Sequence, residues 1–205
     1  RRRSPLRTLC NPALDADFGQ RFEELTRRHA YFHKVIEFVS DTLSGMSGKV
    51  RRIPPILLLG PPGVGKSCFA QDLASALGAN ILQLQMDSAV TRMTLVGSDR
   101  RYSNTGSGEL FNLICLRDQA NPIVLLDELD KAQQEGRDSA ITPLHGLLEP
   151  VTAKRCRDVS TEFVFDASLV TWIATANDVA KIPNTLRSRF REFVILPPKG
   201  AHAIE

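Results

Sequence analysis

The chain has 205 residues, of which 42% are hydrophobic and 24% are charged, a balance that excludes both a minimal peptide module and a wholly disordered chain. Its formal net charge is +3, and the basic excess lies in residues 1–52, which hold 11 Lys and Arg against 6 Asp and Glu. The longest apolar runs have four residues, far short of the roughly 20 that cross a bilayer. We therefore expect a globular domain with no membrane span.

The cysteines are spread along the chain and form no CxxC pair or cysteine–histidine cluster, so neither a zinc cluster nor a disulfide framework is predicted. They are Cys10, Cys68, Cys115 and Cys156. Reduced thiols are typical of the cytoplasm, which is the compartment that we expect. The chain begins with Arg1 and has no apolar leader, so we also expect a fragment or processed piece without a signal peptide.

The predicted elements begin after an irregular basic arm over residues 1–16. From 17 to 43, apolar residues recur at helical spacing, which predicts one long or broken helix. A flexible break over 44–48 separates this helix from the short apolar run 54–59, which predicts a buried strand. A basic arm can contact nucleic acid or an acidic partner, and a solvated leader is the alternative interpretation.

Helices and strands alternate along the rest of the chain. The predicted helices span 65–77, 107–118 and 139–148, and the further predicted strands span 81–86, 122–127, 169–175 and 192–196. Strands that alternate with helices are typical of a parallel sheet that is covered on both faces. The sequence therefore predicts an α/β fold with a central sheet.

A glycine-rich segment between the first strand and the next helix fits the pattern GxxxxGK[ST], which is typical of a phosphate-binding loop. Its glycines let backbone N–H groups surround a phosphate, and the following helix presents its positive end, where Cys68 lies in the first turn. Lys66 is predicted to reach the terminal phosphates, and the Ser67 hydroxyl is a candidate Mg²⁺ ligand. The predicted loop comprises Gly60, Pro61, Pro62, Gly63, Val64, Gly65, Lys66 and Ser67.

An acidic pair follows the apolar run of a neighbouring predicted strand, about sixty residues after the loop. Asp127 is predicted to hold Mg²⁺, and Glu128 is placed to polarise an attacking water molecule. The alternative is that an acidic residue merely caps the next helix. The phosphate-binding loop favours the catalytic interpretation.

These motifs, together with segments 172–177 and 182–190, resemble the AAA+ ATPases, and among them most closely the ATPase module of Lon-type proteases. The resemblance covers about residues 50–198. It implies a P-loop NTPase fold, the AAA+ large subdomain, with a central parallel five-stranded sheet and helices on both faces. Residues 1–49 are then an amino-terminal arm and helix, and 199–205 are the start of a helical lid.

The same resemblance implies Mg²⁺-dependent ATP hydrolysis that drives unfolding or remodelling of protein substrates. Asn177 resembles the sensor that binds the γ-phosphate or the attacking water, and a turn-forming asparagine is the alternative. Arg189 resembles the arginine finger that reaches the ATP of an adjacent subunit, with Arg187 as its close competitor. A site completed by a neighbour implies a ring, of six subunits as in the family.

Tyr102 lies in a polar segment that resembles the Lon-type loop in the central pore, and the resemblance implies that this tyrosine grips the protein substrate. Local packing of Tyr102 is the alternative. Ser103 and Ser107 depart from the family pattern at an aliphatic and a proline position. The serine and lysine of a Lon-type proteolytic site lie in a later domain of that family, so we expect no peptidase in this stretch.

Other interpretations remain open at this level. A nucleic-acid motor or loader would use the basic arm, but no basic stripe interleaved with aromatics supports it, so we expect no nucleic-acid partner. A non-catalytic scaffold is disfavoured because every chemical role is filled. His29 and His33 have helical i,i+4 spacing but lack an evident third metal ligand, which favours solvated or packing roles. Cys68 is interpreted as a small buried filler whose oxidation could instead block nucleotide binding, and Lys131 as a surface ion-pair residue.

Overall fold

The computed structural model of the protein describes residues 8–9, 17–44, 52–86, 90–98, 106–117, 119–133, 136 and 139–196. A five-stranded parallel sheet forms its centre, and a two-stranded antiparallel hairpin lies outside it. The sheet strands are β1 (Ile56–Leu59), β2 (Ile81–Gln85), β3 (Ile123–Asp127), β6 (Thr171–Ala176) and β7 (Arg191–Val194), and the hairpin strands are β4 (Cys156–Arg157) and β5 (Val164–Phe165). The order across the sheet is β2-β3-β6-β1-β7.

The described helices vary from a few residues to twelve. The α-helices are α1 (Phe18–Arg28), α2 (His33–Ser44), α3 (Lys66–Leu77), α4 (Arg92–Val96), α5 (Glu109–Phe111), α6 (Ile141–Leu147), α7 (Pro150–Ala153) and α8 (Asn184–Arg187). Short 3₁₀ turns span Ala30–Phe32, Leu129–Lys131 and Val179–Lys181, and a π-helical turn over Asn112–Leu116 continues α5. No described helix is both long and apolar enough to cross a membrane.

The two faces of the sheet bury two separate hydrophobic clusters, because side chains alternate along each strand. On β1, Ile56 and Leu58 face a cluster that α1, α2 and α3 cover. Leu57 and Leu59 face the opposite cluster, which includes residues of α4, α5 and α6. All residues of β1, β3 and β6 are buried. The predicted α/β fold, with a parallel five-stranded sheet and helices on both faces, is confirmed.

Register brings three strand ends to one edge of the sheet. Leu59, at the end of β1, pairs with Ala176 at the end of β6. Leu126 on β3 pairs with Ala174 on the other side of β6. The loops that follow these strands therefore start side by side, which is the edge where open α/β sheets bind ligands.

The predicted elements differ from the structure mainly in their bounds. The predicted helix over 17–43 is broken by the 3₁₀ turn at Ala30–Phe32, so α1 and α2 are separate helices. The predicted helix over 107–118 is shorter and becomes π-helical in its second half. The short helices α4, α7 and α8 and the β4–β5 hairpin were not predicted.

Candidate functional site

The glycine-rich loop leaves β1 and enters α3. Gly63 and Gly65 have φ angles of +80° and +88°, a region that other residues rarely adopt, and Gly65 directly precedes α3. Gly60 meets a different constraint, because a β-carbon there would lie 2.3 Å from the carbonyl oxygen of Ile195. The three glycines therefore allow the loop to curl tightly over the start of the helix.

Lys66 is buried at the start of α3 and lies under this loop. Its ammonium group donates to the carbonyl oxygens of Gly60 at 2.6 Å and Pro61 at 2.9 Å, and to Oδ1 of Asn177 at 2.9 Å. Burial lowers the pKa of Lys66, and the negative charges of Asp130, Asp127 and Glu128 act against that shift. The loop lysine and the predicted sensor asparagine are thus in direct contact.

Asp127, buried at the end of β3, has both carboxylate oxygens hydrogen-bonded. Oδ1 accepts from the hydroxyl groups of Ser67 at 2.7 Å and Thr175 at 2.6 Å. Oδ2 accepts from the side-chain amides of Gln83 at 2.9 Å and Gln85 at 3.2 Å. All four donors are neutral, so none of the described residues places a hydrogen-bonded cation on this carboxylate.

The donor set fits a magnesium ion. Mg²⁺ prefers oxygen ligands and is usually held by one or two carboxylates together with phosphate oxygens and water. Ser67 and Asp127 supply a hydroxyl and a carboxylate oxygen 2.7 Å apart, beside the phosphate-binding loop. These are the two residues that the sequence predicts as metal ligands.

Glu128 follows Asp127 in a left-handed backbone conformation, with φ +58°. Its backbone N–H donates to the hydroxyl of Thr175 at 2.9 Å, so Thr175 contacts both acidic residues. The carboxylate of Glu128 accepts from Nζ of Lys131 at 2.8 Å. The ion pair expected for Lys131 therefore involves the predicted catalytic base itself.

Asp130 adds a third acidic group to this edge. One of its oxygens accepts from the backbone N–H of Asp178 at 3.1 Å, directly after Asn177. The other oxygen is buried and has no hydrogen-bond partner within the described part of the chain. Of the three acidic residues, Asp130 has the largest effect in raising the pKa of Lys66 against the effect of burial.

The two candidate finger arginines, Arg187 and Arg189, bind acidic residues outside the phosphate-binding loop. Arg187 forms a bidentate pair with Glu192, and this contact raises the pKa of Arg187 and lowers the pKa of Glu192. Arg189 donates a hydrogen bond to Glu149 at 3.1 Å, and its buried Nε has no hydrogen-bond partner among the described residues. Neither described arginine contacts the phosphate-binding loop, so the structure does not bring them into the same site.

The remaining residues singled out in the sequence lie away from the loop or outside the described residues, apart from Cys68 at the start of α3. Tyr102 and its neighbour Ser103 lie outside the described residues. Cys68 is exposed at the start of α3, so its interpretation as a buried filler is wrong. His29 is buried and its ring packs edge-on against Phe69, in line with a packing role, whereas His33 is exposed.

Sequence reasoning missed the neutral residues that hold Asp127. Gln83 and Gln85 are two positions apart on β2. Thr175 on β6 is two positions before Asn177, which directly follows that strand. This period of two placed each pair on one face of a strand. The signal was present, but the target of the side chains depends on the neighbouring strand β3.

Comparison with known proteins supports the nucleotide-binding interpretation. Residues 56–198 match the model of the ATPase family associated with various cellular activities (AAA). The chain is 32% identical to the Lon protease of Metamycoplasma arthritidis over 74% of this chain and 18% of that protein. It is 34% identical to the Lon protease of Campylobacter concisus, over 75% of this chain and 19% of that protein. It is 31% identical to Lon protease 1 of Bacillus subtilis, over 80% and 21%.

These similarities confirm the resemblance to the ATPase module of Lon-type proteases. They also set its extent, since the chain spans about a fifth of the length of these relatives. The matched region, 56–198, contains the phosphate-binding loop, both acidic strand-end residues and the candidate arginines. The similarity therefore includes the whole site described above.

Proposed function

This chain belongs to the AAA family of ATPases, and we propose that it binds ATP with Mg²⁺ and hydrolyses the terminal phosphate. The observation that carries the proposal is the convergence of Lys66, Asp127 and Asn177 from three different elements onto one edge of the sheet. Lys66 contacts Asn177, and Ser67 contacts Asp127, so the cationic and the metal-binding halves are adjacent.

In this proposal the loop N–H groups over 60–67 and Lys66 hold the phosphates, and Ser67 and Asp127 hold the magnesium ion. The ion held by Ser67 and Asp127 would supply positive charge against the negative charge that develops during transfer. Lys66 exchanges its contacts with loop carbonyls for phosphate oxygens. Asn177, already hydrogen-bonded to Lys66, is placed to orient the attacking water.

Glu128 is the proposed general base. Its backbone is fixed by Thr175, and its side chain is partly exposed and paired with Lys131. Lys131 occupies one of its carboxylate oxygens, so Glu128 must exchange Lys131 for water before it can act as the base. The αL backbone of Glu128 directs the chain away from β3 at the point where the base is needed.

We further propose that the active form is a ring, a hexamer as in the family, in which Arg189 reaches the nucleotide of a neighbouring subunit. Arg187 is less suited to this role because Glu192 binds it through two hydrogen bonds. In the part of the chain that the structure describes, the side-chain partner of Arg189 is the half-exposed Glu149, from which it can be released at low cost. These contacts support Arg189 over Arg187.

The proposed work of the ring is unfolding or remodelling of protein substrates through Tyr102. Support comes from the base of the segment that carries it. Ser98 and Gly106 hydrogen-bond to each other at this base, and the buried Asp158 accepts from the backbone N–H of Gly108 at 2.7 Å. The described residues on either side of 99–105 are therefore held to each other and to the loop between β4 and β5.

The division of the chain stays as the sequence suggests, with 1–49 as an arm and helix, 50–198 as the nucleotide-binding subdomain and 199–205 as the start of a lid. No peptidase activity is assigned to the residues of this chain, and the relatives that are named proteases are about four times as long. The cytoplasm remains the proposed compartment, supported by the free thiols of Cys68 and Cys156.

The test is the ATPase rate of the intact protein as a function of its concentration, with Arg189→Ala mixed in as a reporter of action between subunits. A ring motor predicts a cooperative rise that the variant inhibits beyond simple dilution. Arg187→Ala is the matched control and is expected to inhibit far less. A rate that does not depend on concentration or on Arg189 would contradict the ring, whereas Glu128→Gln that binds ATP and still turns it over would contradict the assignment of the base.

A further inference from the structure

A second group of ligand-bearing side chains lies where the end of α1 meets the first turns of α3. It combines His29, which follows α1, with Cys68 and Asp72 of α3. One ligand atom from each residue lies within 4.8 Å of the other two. We propose that these residues form a binding site for a thiophilic divalent cation, with Zn²⁺ as the best chemical fit.

The distances between the ligand atoms are close to those of a metal site. Nε2 of His29 lies 2.7 Å from Oδ2 of Asp72, and Sγ of Cys68 lies 3.9 Å from the same oxygen. Tetrahedral zinc with ligand bonds of about 2.0–2.3 Å separates nitrogen and oxygen by about 3.3 Å and sulfur and oxygen by about 3.5 Å. The two contacts of Asp72 need shifts of roughly half an ångström to reach these separations, and the sulfur and nitrogen atoms, within 4.8 Å of each other, must approach by side-chain rotation.

The fold positions these ligands in advance. Cys68 and Asp72 are four residues apart on α3 and therefore share one face of that helix. The ring of His29 is buried and packs edge-on against Phe32 and Phe69, which limits its rotation. The sulfur of Cys68 is exposed and the carboxylate of Asp72 partly so, which gives a cation a route of entry from solvent.

The ligand types separate this site from the magnesium site. A thiolate, an imidazole and one carboxylate are the mixed sulfur, nitrogen and oxygen ligands of zinc, whereas Mg²⁺ takes oxygen ligands almost alone. Three protein ligands leave a fourth position for water. Because Cys68 is the residue after Ser67, a bound ion would tie the end of α1 to the first turn of the phosphate-binding helix.

Arg28 is the built-in competitor of the proposed ion. Its guanidinium lies 3.1 Å from Oδ2 of Asp72, the oxygen that also accepts from His29. A cation bound at Asp72 displaces Arg28 into solvent, where most of its side chain already lies. Removal of the arginine is therefore expected to strengthen metal binding, opposite in sign to removal of a ligand.

The test uses the intact protein, stripped of metal and kept reduced, without nucleotide. Zn²⁺ affinity is measured by competition with a chromophoric chelator, and Co²⁺ is used as a spectroscopic probe. We expect one equivalent per chain, a thiolate-to-cobalt charge-transfer band and tetrahedral cobalt absorption. Affinity should fall tenfold or more in Cys68→Ser, His29→Gln and Asp72→Asn, by analogy with the effect of losing even indirect metal partners.

Matched controls decide between this site and unspecific binding. His33→Gln and Cys10→Ser should keep the parental zinc affinity, and Arg28→Gln should exceed it. Cys68→Ser changes an exposed side chain, so it keeps the test valid even if the buried His29 variant fails to fold. Zinc affinity unchanged in Cys68→Ser, a cobalt spectrum without a thiolate band, or loss of the band in Cys10→Ser would each overturn the proposal.

Discussion

Thr175 on β6 donates its hydroxyl to the carboxylate of Asp127 on β3 across 2.6 Å. The hydroxyl oxygen of Thr175 also accepts a hydrogen bond from the backbone N–H of Glu128 at 2.9 Å. One neutral side chain of the central strand thus holds the proposed metal ligand and the backbone of the proposed base. Its position on a fully buried strand makes this arrangement rigid.

We expect Thr175→Val to lower the ATPase rate about tenfold or more with little change in the shape of the core, since valine keeps the branched volume. The variant leaves the buried Asp127 short of one donor and the Glu128 N–H without an acceptor, a loss worth about 1–3 kcal/mol. Steady-state kinetics and urea unfolding measure both effects. Thr171→Val, at the opposite end of β6, is the control, and an equal loss of activity there would contradict a specific role for Thr175.

Acid should weaken the contact between Arg187 and Glu192. The hydrogen bond from Arg187 holds the pKa of Glu192 below the ordinary value of 4.5, so the ionised carboxylate stabilises the folded state above that pH. This contribution is lost as the pH falls through the lowered pKa. Thermal unfolding followed from about pH 7 to about pH 3 should show a steeper acid loss in the parent than in Glu192→Gln. Parallel curves would show that the pair does not contribute.

Alkaline conditions should destabilise the protein through Cys156. Burial raises the pKa of this thiol from 9.0 to about 12, with further contributions from Asp158 and Cys115. The neutral thiol is therefore favoured in the folded state, and its stabilising effect is complete below pH 9 and lost as the pH rises toward 12. The expected slope is about 1.4 kcal/mol per pH unit. Comparison with Cys156→Ala by urea unfolding at both ends of this range isolates the effect, and identical slopes would contradict it.

We expect Asp158 to stabilise the contact between Gly108, which follows the Tyr102 segment in sequence, and the loop between β4 and β5. Its buried carboxylate accepts from the Gly108 N–H and from both the N–H and the hydroxyl of Thr161, so it joins the segment base to the hairpin loop. Asp158→Asn places an amide donor against these donors and should cost about 1–3 kcal/mol. Urea unfolding and hydrogen exchange at Gly108 provide the measurement.

The control for this change is Asp166→Asn, since Asp166 is exposed and accepts one local backbone hydrogen bond from Ser168. We expect that variant to stay within about 0.5 kcal/mol of the parent. Faster exchange at Gly108 only in Asp158→Asn would support the joint between segment and hairpin. Equal exchange in both variants would contradict it.

The sheet was predictable because its central strands are continuous apolar runs. Ile56–Leu59 and Ile123–Asp127 are buried on both faces, and each is preceded by a proline, which separates it from the preceding segment. Lys66, Ser67 and Asp127 were predictable for a related reason, since each has a fixed place relative to a strand end. Local sequence was sufficient for these features.

The rest depends on contacts between distant segments. The role of Gln83 and Gln85 follows from the pairing of β2 with β3, which the sequence of β2 does not specify. The proximity of His29 to Asp72 follows from the packing of α1 against α3, 43 residues away. The sequence allowed one long or broken helix over 17–43, but it did not place the break at Ala30–Phe32, because apolar residues continue through it at helical spacing.

Gly60 lies so close to Ile195 that the segment following β7 is in direct contact with the phosphate-binding loop. The N–H of Ile195 donates to the carbonyl of Leu59 at 2.7 Å, and the space of a missing β-carbon at Gly60 is taken by the Ile195 carbonyl. Tension applied to the chain beyond Leu196 is therefore delivered to the first residue of the loop without passing through a flexible joint. Even Gly60→Ala would disrupt this contact, because the added β-carbon would collide with the Ile195 carbonyl oxygen.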